Sequence, residues 1–504
     1  MNSDVAARHQ RLASEKGEGD RIEDAAPHPG SGELELELRE FHPFEAAGHQ
    51  FVYLVPSAAV FRLDSATSKV LGALEEGPST FSQLNESLPD LDPDALRGAV
   101  QDLWEVRAIG PKGAPPEPMP VEVPSADFPL TTMVLNVTSK CNLSCTYCYE
   151  YGEDRLVDEG STPRFMDEET ARDSVEFMLS QSGERPSVNL TFFGGETLLN
   201  FKLLKKTAEY ARRRGEEEGK RVEFSLTTNG TMLRPEVIEW LAENEVGVTI
   251  SMDGPQDVQD KFRVLNNGAG SYEMIVPKVK ELLQRHTRRP TAARVTLTQQ
   301  NLNVHRIFQH LTEEVGFWEV GFAPVTTSSC RDYALDEASY DRMLQQFEEL
   351  AHEWLEFAVE GRHHGFSNVR ESVEEIHKGF SKAYPCGAGL GLMGVATDGD
   401  VNLCHRFAGS KDHKLGTVTG GVDREKQADF LESHHIAYKP DCHTCWARPL
   451  CSGGCYHEAQ TRYGTTAAPN LHYCDWIRSW THICLEVYGE LAERNPEYLR
   501  HFEA

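Results

Sequence analysis

The apolar positions change period along the chain, and the changes divide it. Leu34, Leu36 and Leu38 alternate with Glu35 and Glu37, the period of two that predicts a half-buried strand. Phe51–Val55, the pair Pro56-Ser57 and Ala59–Leu63 predict a hairpin. Asp64 or Ser65 then offers a helix cap, with Val70, Leu71 and Leu74 on one helix face. Two short helices are predicted over Thr80–Leu88 and Pro93–Val106. Strands followed by three helices predict a winged-helix-like domain over 33–110, closed by a Pro-rich linker over 111–128. Residues 1–32 are polar without apolar periodicity and predict a disordered tail.

From Leu130 the pattern alternates strand and helix. Strands are predicted over Thr132–Val137, Val188–Phe193, Val222–Thr228, Val246–Ser251, Arg294–Leu297 and Trp318–Val325. Helical patterns separate them, one after Asp167 with Val175, Met178 and Leu179 on one side and one over Glu236–Glu243. This βα repetition over 129–334 predicts an α/β fold with a parallel sheet, either open and doubly wound or a partial barrel. In both, ligands sit at the C-terminal strand ends. A helical bridge is expected over 335–385, then a Gly- and Cys-rich, weakly periodic region over 386–490 and a tail over 491–504. The weak periodicity suggests a region organised by metal more than by a large core.

Length and charge narrow the function. The 504 residues exceed one ordinary core, so about three domains are expected. With 79 acidic and 50 basic residues the formal net charge is −29, which argues against nucleic acid and anionic membrane surfaces as partners. There is no long apolar run and no visible secretory signal, so a cytoplasmic location is expected. Disulfides do not persist there, and the 12 cysteines read as metal ligands or redox groups.

The first set is Cys141-Asn-Leu-Ser-Cys145-Thr-Tyr-Cys148, directly after a predicted strand. Three thiolates can hold a [4Fe–4S] cluster and leave one iron open, whereas a structural zinc site usually closes a tetrahedron from paired ligands. This loop resembles that of the radical S-adenosylmethionine (SAM) superfamily. The resemblance implies a partial (β/α)6 barrel in which the open iron chelates SAM and reductive cleavage yields a 5′-deoxyadenosyl radical. Further motifs at successive strand ends extend it over about 130–330. Gly194-Gly195-Glu196 resembles the GGE motif that contacts the methionine amino group, with Thr197 where the family often has Pro. Asn229 in Thr228-Asn229-Gly230, Ser251 and Asp253 in Ser251-Met-Asp253-Gly254, Arg263 and Tyr147 complete the set implied to bind the cofactor.

Cys386 and Cys404, then Cys442-His-Thr-Cys445, Cys451, Cys455 and Cys474, resemble the SPASM extension of peptide-modifying members. The resemblance implies two auxiliary [4Fe–4S] clusters, so three clusters in all. Cys442, Cys445, Cys451 and Cys474 would hold one completely. Cys386, Cys404 and Cys455 would hold the other, leaving an iron open to a substrate thiolate. A zinc knuckle is the alternative. Cys330 and Cys484 belong to neither set.

Sulfatase-maturing relatives carry an Asp acting as base after the cysteine at the position of Cys404; His405 stands here, which puts formylglycine formation in doubt. His405 is a candidate catalytic residue or a packing histidine. Cys404-His405-Arg406-Phe407 followed by Lys414-Leu-Gly416 is similar to thioether-forming maturases, including those of six-cysteine peptides and of the quinohemoprotein amine dehydrogenase small subunit. The 33–110 domain resembles their leader-recognition domain, which adds an extended precursor leader to a sheet edge. The resemblance thus implies an enzyme installing thioether crosslinks in a precursor peptide or small Cys-containing subunit, with flavodoxin or ferredoxin as reductant. C–C crosslinking, epimerisation, formylglycine formation and, outside enzymes, a zinc-stabilised peptide-binding protein are the alternatives.

Overall fold

The computed structural model describes residues 29, 34–115, 123–125, 128–157 and 164–503. The expected disordered tail, apart from Pro29, and the middle of the linker lie outside them.

Four strands come first: β1 (Glu35–Leu38), β2 (Phe41–Ala46), β3 (His49–Leu54) and β4 (Ala59–Arg62). Helices α1 (Ser65–Glu75), α2 (Phe81–Ser87) and α3 (Pro93–Glu105) follow, with short strands β5 (Ser79–Thr80) and β6 (Ile109–Pro111) between and after them. The chain divides into two compact units. The smaller comprises residues up to Arg39 together with Asp64–Pro116. In it β1 lies between β5 and β6, antiparallel to both. Leu36, Val70, Leu71, Leu74, Leu84, Leu96, Val100 and Leu103 are buried. Capping boxes at Asp64 with Thr67 and at Thr80 with Gln83 start the first two helices, each satisfying backbone donors that the helix leaves free.

The 33–110 stretch therefore contributes to both units. Residues 40–63 belong to the larger one, where β2, β3 and β4 form an antiparallel meander. The physical reason is the apolar face of this meander. Phe44, Ala46 and Phe51 pack where Gly489 leaves room, since a Cβ there would lie 2.7 Å from the Ala46 Cβ and 3.2 Å from the Phe44 ring. The Ala47 amide donates to Glu490 Oε1 (2.6 Å), and Arg62 pairs with Glu493 (3.0 Å).

The rest of the larger unit is built on a ten-stranded sheet. Strands β7 (Thr132–Asn136), β8 (Ser187–Phe193), β9 (Arg221–Thr228), β10 (Gly247–Ser251), β11 (Thr291–Leu297) and β12 (Glu319–Pro324) are parallel and follow one another in sequence order. That order has no switch point, which a doubly wound sheet requires. Helices α4 (Glu168–Gln181), α5 (Phe201–Glu217), α6 (Pro235–Glu243), α7 (Gln256–Phe262), α8 (Tyr272–Arg285) and α9 (Val304–Gln309) make the crossovers. Asp167 caps α4 through Thr170, as its position before the apolar periodicity predicts. The long helix α10 (Glu337–Val359) and the shorter α11 (Ser367–His377) follow β12.

The Cys-rich region shares this core, contrary to the reading from its weak periodicity. β13 (Leu392–Val395) pairs in parallel with β7, and β14 (Asp400–Asn402), β15 (Lys414–Thr417) and β16 (Gly421–Val422) extend the sheet as antiparallel neighbours. Met393, Val395, Val401 and Leu403 are buried there. Helices α12 (Arg424–His434), α13 (Arg448–Cys451), α14 (Tyr456–Tyr463) and α15 (Cys474–Arg494) complete the region. The boundary expected at 490 falls inside α15, because its apolar stripe continues through Val487 to Leu491. Among the described residues no helix is long and apolar enough to cross a membrane.

Candidate active site

The first cysteine loop leaves the C-terminal end of β7 and is held against the end of β8. The Gly195 amide donates to the Thr138 carbonyl (3.0 Å) and the Glu196 amide to the Lys140 carbonyl (2.8 Å). The approach is close enough to require glycine. A Cβ on Gly195 would lie 2.5 Å from the Lys140 carbonyl carbon and 2.6 Å from the Tyr151 hydroxyl. Gly194 has φ +126°, which side chains on Cβ disfavour, and it too packs on the Thr138 backbone.

Cys141, Cys145 and Cys148 are brought together, each a close electrostatic neighbour of the others. Burial pushes the Cys141 thiol up to about 11 and the Cys145 thiol up to about 12. Iron ligation would deprotonate them and release protons. The Cys141 sulfur accepts from the Leu143 amide (3.5 Å) and the Asn229 side-chain amide (3.8 Å). Such donors to sulfur suit cluster thiolates, whose electronics they tune. The set fits a cluster with three protein ligands.

The other strand-end positions converge on this loop. Glu196 is fully buried; its carboxylate accepts from the Leu198 amide (3.0 Å), the Thr228 hydroxyl (2.7 Å) and the Asn229 amide (2.8 Å). Burial raises its pKa against these three donors. Glu196 thus ties the end of β8 to the end of β9. Asn229 continues the chain of contacts to Asn142 (3.0 Å) inside the cysteine loop. Ser251 ends β10, half-buried and in register with Arg294.

Asp253 is fully buried between Arg263, whose Nε lies 3.0 Å from Oδ2, and the Tyr147 hydroxyl, which donates to the same oxygen. Its other oxygen accepts from the Thr296 amide (3.0 Å). The Arg263 guanidinium lies 5.4 Å from the Tyr147 ring centroid, and Arg263 is also an electrostatic neighbour of Cys145. Tyr147, Asp253 and Arg263 therefore form one buried unit beside the cysteine loop. Removing a partner from a buried ion pair costs about 3–5 kcal/mol. Asp253→Ala is expected to lower the chain's melting temperature and weaken SAM retention, measured by thermal unfolding and equilibrium dialysis.

The seven C-terminal cysteines fall into two neighbourhoods. Cys404 has Cys455 and Cys386 as its sulfur neighbours. Cys442 has Cys451, Cys474 and Cys445. Cys330 and Cys484 are in neither: the Cys330 sulfur lies 3.3 Å from the Ser328 hydroxyl on an exposed loop, and Cys484 is buried in α15 near Ser372. Among the described residues no group of three or more His, Cys, Asp or Glu is spaced to hold a single metal ion.

His405 follows Cys404 in a short 3-10 turn, with its ring 4.5 Å from that of Phe193 at the end of β8. Its Nδ1 is buried without a hydrogen-bond partner. Burial, helped by the neighbouring Arg406 guanidinium, pushes its pKa down to about 3. The ring is thus neutral and a weak base at neutral pH.

Several contacts had no signal in the sequence. Arg406 covers the Tyr149 ring at 4.7 Å and donates to the Thr326 hydroxyl (3.0 Å), while Tyr149 neighbours both Cys148 and Cys404. This pair spans from the first cysteine loop to the Cys404 set. Asp154, just beyond that loop, accepts from the Ser328 amide (2.9 Å) and pairs with Arg331 (2.8 Å) after β12. Burial opposes its charge, but bonds from Arg331 and Thr327 hold its carboxyl down to about 2. The Asp154 partners lie 173 to 177 residues away, so spacing gives no hint of them.

Comparison with known proteins now bears on the site. Residues 135–309 match the family model of the Radical SAM superfamily. The chain is 27% identical over 371 residues to the serine-type anaerobic sulfatase-maturating enzyme of Bacteroides thetaiotaomicron, covering 68% of this chain and 86% of that protein. It is 22% identical over 353 residues to the radical SAM cyclopropyl synthase TigE of Paramaledivibacter caminithermalis, covering 68% and 71% respectively. The solved structure of native anSMEcpe with bound AdoMet and Cp18Cys peptide superposes with a TM-score of 0.59 at 20% identity, covering 74% of this chain and 99% of that one. The family match runs from the end of β7 through β11 and includes the strand ends that carry the cysteine loop, Glu196, Asn229 and Asp253. These matches support a radical SAM enzyme.

Proposed function

We propose that this enzyme installs thioether crosslinks, Cys sulfur to carbon, in a precursor peptide or small Cys-containing subunit. Cys141, Cys145 and Cys148 would ligate the cluster that holds SAM. Gly194, Gly195, Glu196, Asn229, Ser251, Asp253, Arg263 and Tyr147 would shape the SAM site around it. When bound, cluster and SAM together supply reductive cleavage and a carbon-centred radical able to take hydrogen from a peptide carbon. Cys442, Cys445, Cys451 and Cys474 would close one auxiliary [4Fe–4S] cluster, and Cys386, Cys404 and Cys455 would hold the other.

One observation carries the thioether reading: the Cys404 neighbourhood contains three sulfurs, and Cys330 and Cys484 lie in other surroundings. A cluster held by three thiolates keeps an iron able to bind a substrate thiolate. Cys386 is exposed, so the set has an open side. The chain's own part is to bind and orient. Arg406 and Tyr149 sit between the first loop and this set and would keep bulk water from the space between them.

Formylglycine formation is the second reading, favoured by the sulfatase-maturating relatives. It needs a base. At the place where those relatives are expected to carry one stands His405, a buried neutral imidazole packed on Phe193. That supports the thioether reading over this one. For the precursor leader, β4 is an edge strand of the β2–β4 meander, half-buried and paired on one side, a geometry suited to strand addition.

The cluster part is tested by iron and sulfide analysis after anaerobic reconstitution. Three clusters give roughly twelve iron and twelve sulfide per chain. About four of each would limit the chain to the first cluster and remove the auxiliary iron on which the thioether reading rests.

A further inference from the structure

Lys439 is the least expected side chain in the Cys-rich region. It is 1% exposed, and its Nζ is buried without a hydrogen-bond partner. It follows a 3-10 turn over Ile436–Tyr438, and its carbonyl accepts from the Cys442 amide at 3.3 Å. Its ammonium lies 5.1 Å from the centroid of the buried Tyr456 ring. On the other side it runs over Gly453, where a Cβ would lie 2.7 Å from the lysine Cδ and 3.0 Å from Nζ. Glycine at 453 therefore leaves the channel in which this side chain is threaded.

The electrostatic neighbours of Lys439 are Cys442 and Cys451 from one set and Cys386 and Cys455 from the other. Nearby cations differ in this respect. Lys382, a neighbour of Cys451, is paired with Glu375 at 2.9 Å. Arg478, beside Cys445, is paired with Asp475. Arg406, beside Cys404 and Cys455, has Glu458 among its neighbours. Lys439 has no carboxylate partner among the described residues, and burying an unpaired cation is costly. Burial lowers the pKa of the ammonium, and the cysteines of both sets are the charges that oppose this shift and favour its charged form.

We propose that the Lys439 ammonium is a shared counter-charge between the two auxiliary clusters, raising the reduction potential of both. The inference rests on the cluster assignment of the preceding section. A nearby positive charge favours the state that carries one more electron, so cluster potentials rise with it. Lys439 is thus a positioning and tuning residue that touches the cluster surroundings and not the substrate.

The test uses the full-length chain with Cys141, Cys145 and Cys148 replaced by alanine, so that only auxiliary clusters are read. Iron content and an EPR-monitored redox titration are compared for Lys439 and for Lys439→Met, Lys439→Gln and Lys439→Arg. We expect the two neutral variants to shift both auxiliary midpoints to lower potential and the arginine variant to restore them. Unchanged midpoints in a fully loaded Lys439→Met or Lys439→Gln chain overturn the proposal and leave the cluster assignment standing. If neither neutral variant assembles auxiliary clusters but Lys439→Arg does, the charge is required and the proposal is supported. If none of the three assembles them, the side chain acts by packing and the proposal fails. A parent chain with no auxiliary iron contradicts the cluster assignment itself and takes the proposal with it.

Discussion

Replacing Cys141, Cys145 and Cys148 together by alanine is expected to abolish 5′-deoxyadenosine formation and to leave about two thirds of the iron, roughly eight of twelve atoms. The three sulfurs are each other's electrostatic neighbours, and the C-terminal cysteines group among themselves. On the proposed cluster assignment, losing them would remove one cluster and spare two. The fold should survive, because Cys→Ala removes a small side chain and the loop is held independently, by Thr138 and Lys140 on β8 and by Asp154 on Arg331. Iron analysis, deoxyadenosine chromatography and circular dichroism check the three parts. Deoxyadenosine formation that persists would place the reacting cluster elsewhere in the chain.

Gly195→Ala is expected to act almost as strongly through a single methyl group. The added Cβ would press on the Lys140 carbonyl and the Tyr151 hydroxyl, and the carbonyl is backbone that cannot swing away. Overpacking of this kind costs about 1–3 kcal/mol. Here the strain falls on the segment between Thr138 and Cys141 and would move the cysteine loop off the strand end. The expected result is loss of about a third of the iron and at least a tenfold fall in deoxyadenosine formation, since 1.4 kcal/mol already corresponds to tenfold. Wild-type iron content and activity in this variant would show that the loop does not depend on the contact.

The parallel part of the fold was legible because its strands are four or more residues of apolar chain bounded by helical periodicity. The Gly194–Glu196, Asn229 and Ser251–Asp253 motifs, proposed to bind SAM, sit at strand ends. The cysteine partition was legible from spacing and resemblance, and Cys404, Cys455 and Cys386 are neighbours as that implied. What was illegible has a common cause in long-range pairing. Leu392–Val395 is four residues that follow Gly391 and include Gly394, and its membership of the sheet depends on β7, some 260 residues earlier. Phe44 and Phe51 read as part of the winged-helix-like domain, but their apolar face is matched by α15 near the other terminus. Lys439 carries no motif at all; only burial beside two cysteine sets distinguishes it from a surface lysine.

His405 shows where resemblance and geometry must be read together. Its place after Cys404 marked it for catalysis, whereas its packing on Phe193 and its depressed pKa make it a poor base. The thioether reading needs no base at that position, because the substrate sulfur would meet an open iron. The most direct measurement is mass spectrometry of a Cys-containing precursor peptide after incubation with reduced holoenzyme and SAM, with thiols alkylated before analysis. The account predicts loss of two hydrogens and one fewer alkylated cysteine for each link formed. Loss of sulfur or a new aldehyde would mean formylglycine formation, and loss of two hydrogens with every thiol still alkylated would mean a carbon–carbon link; either result contradicts it.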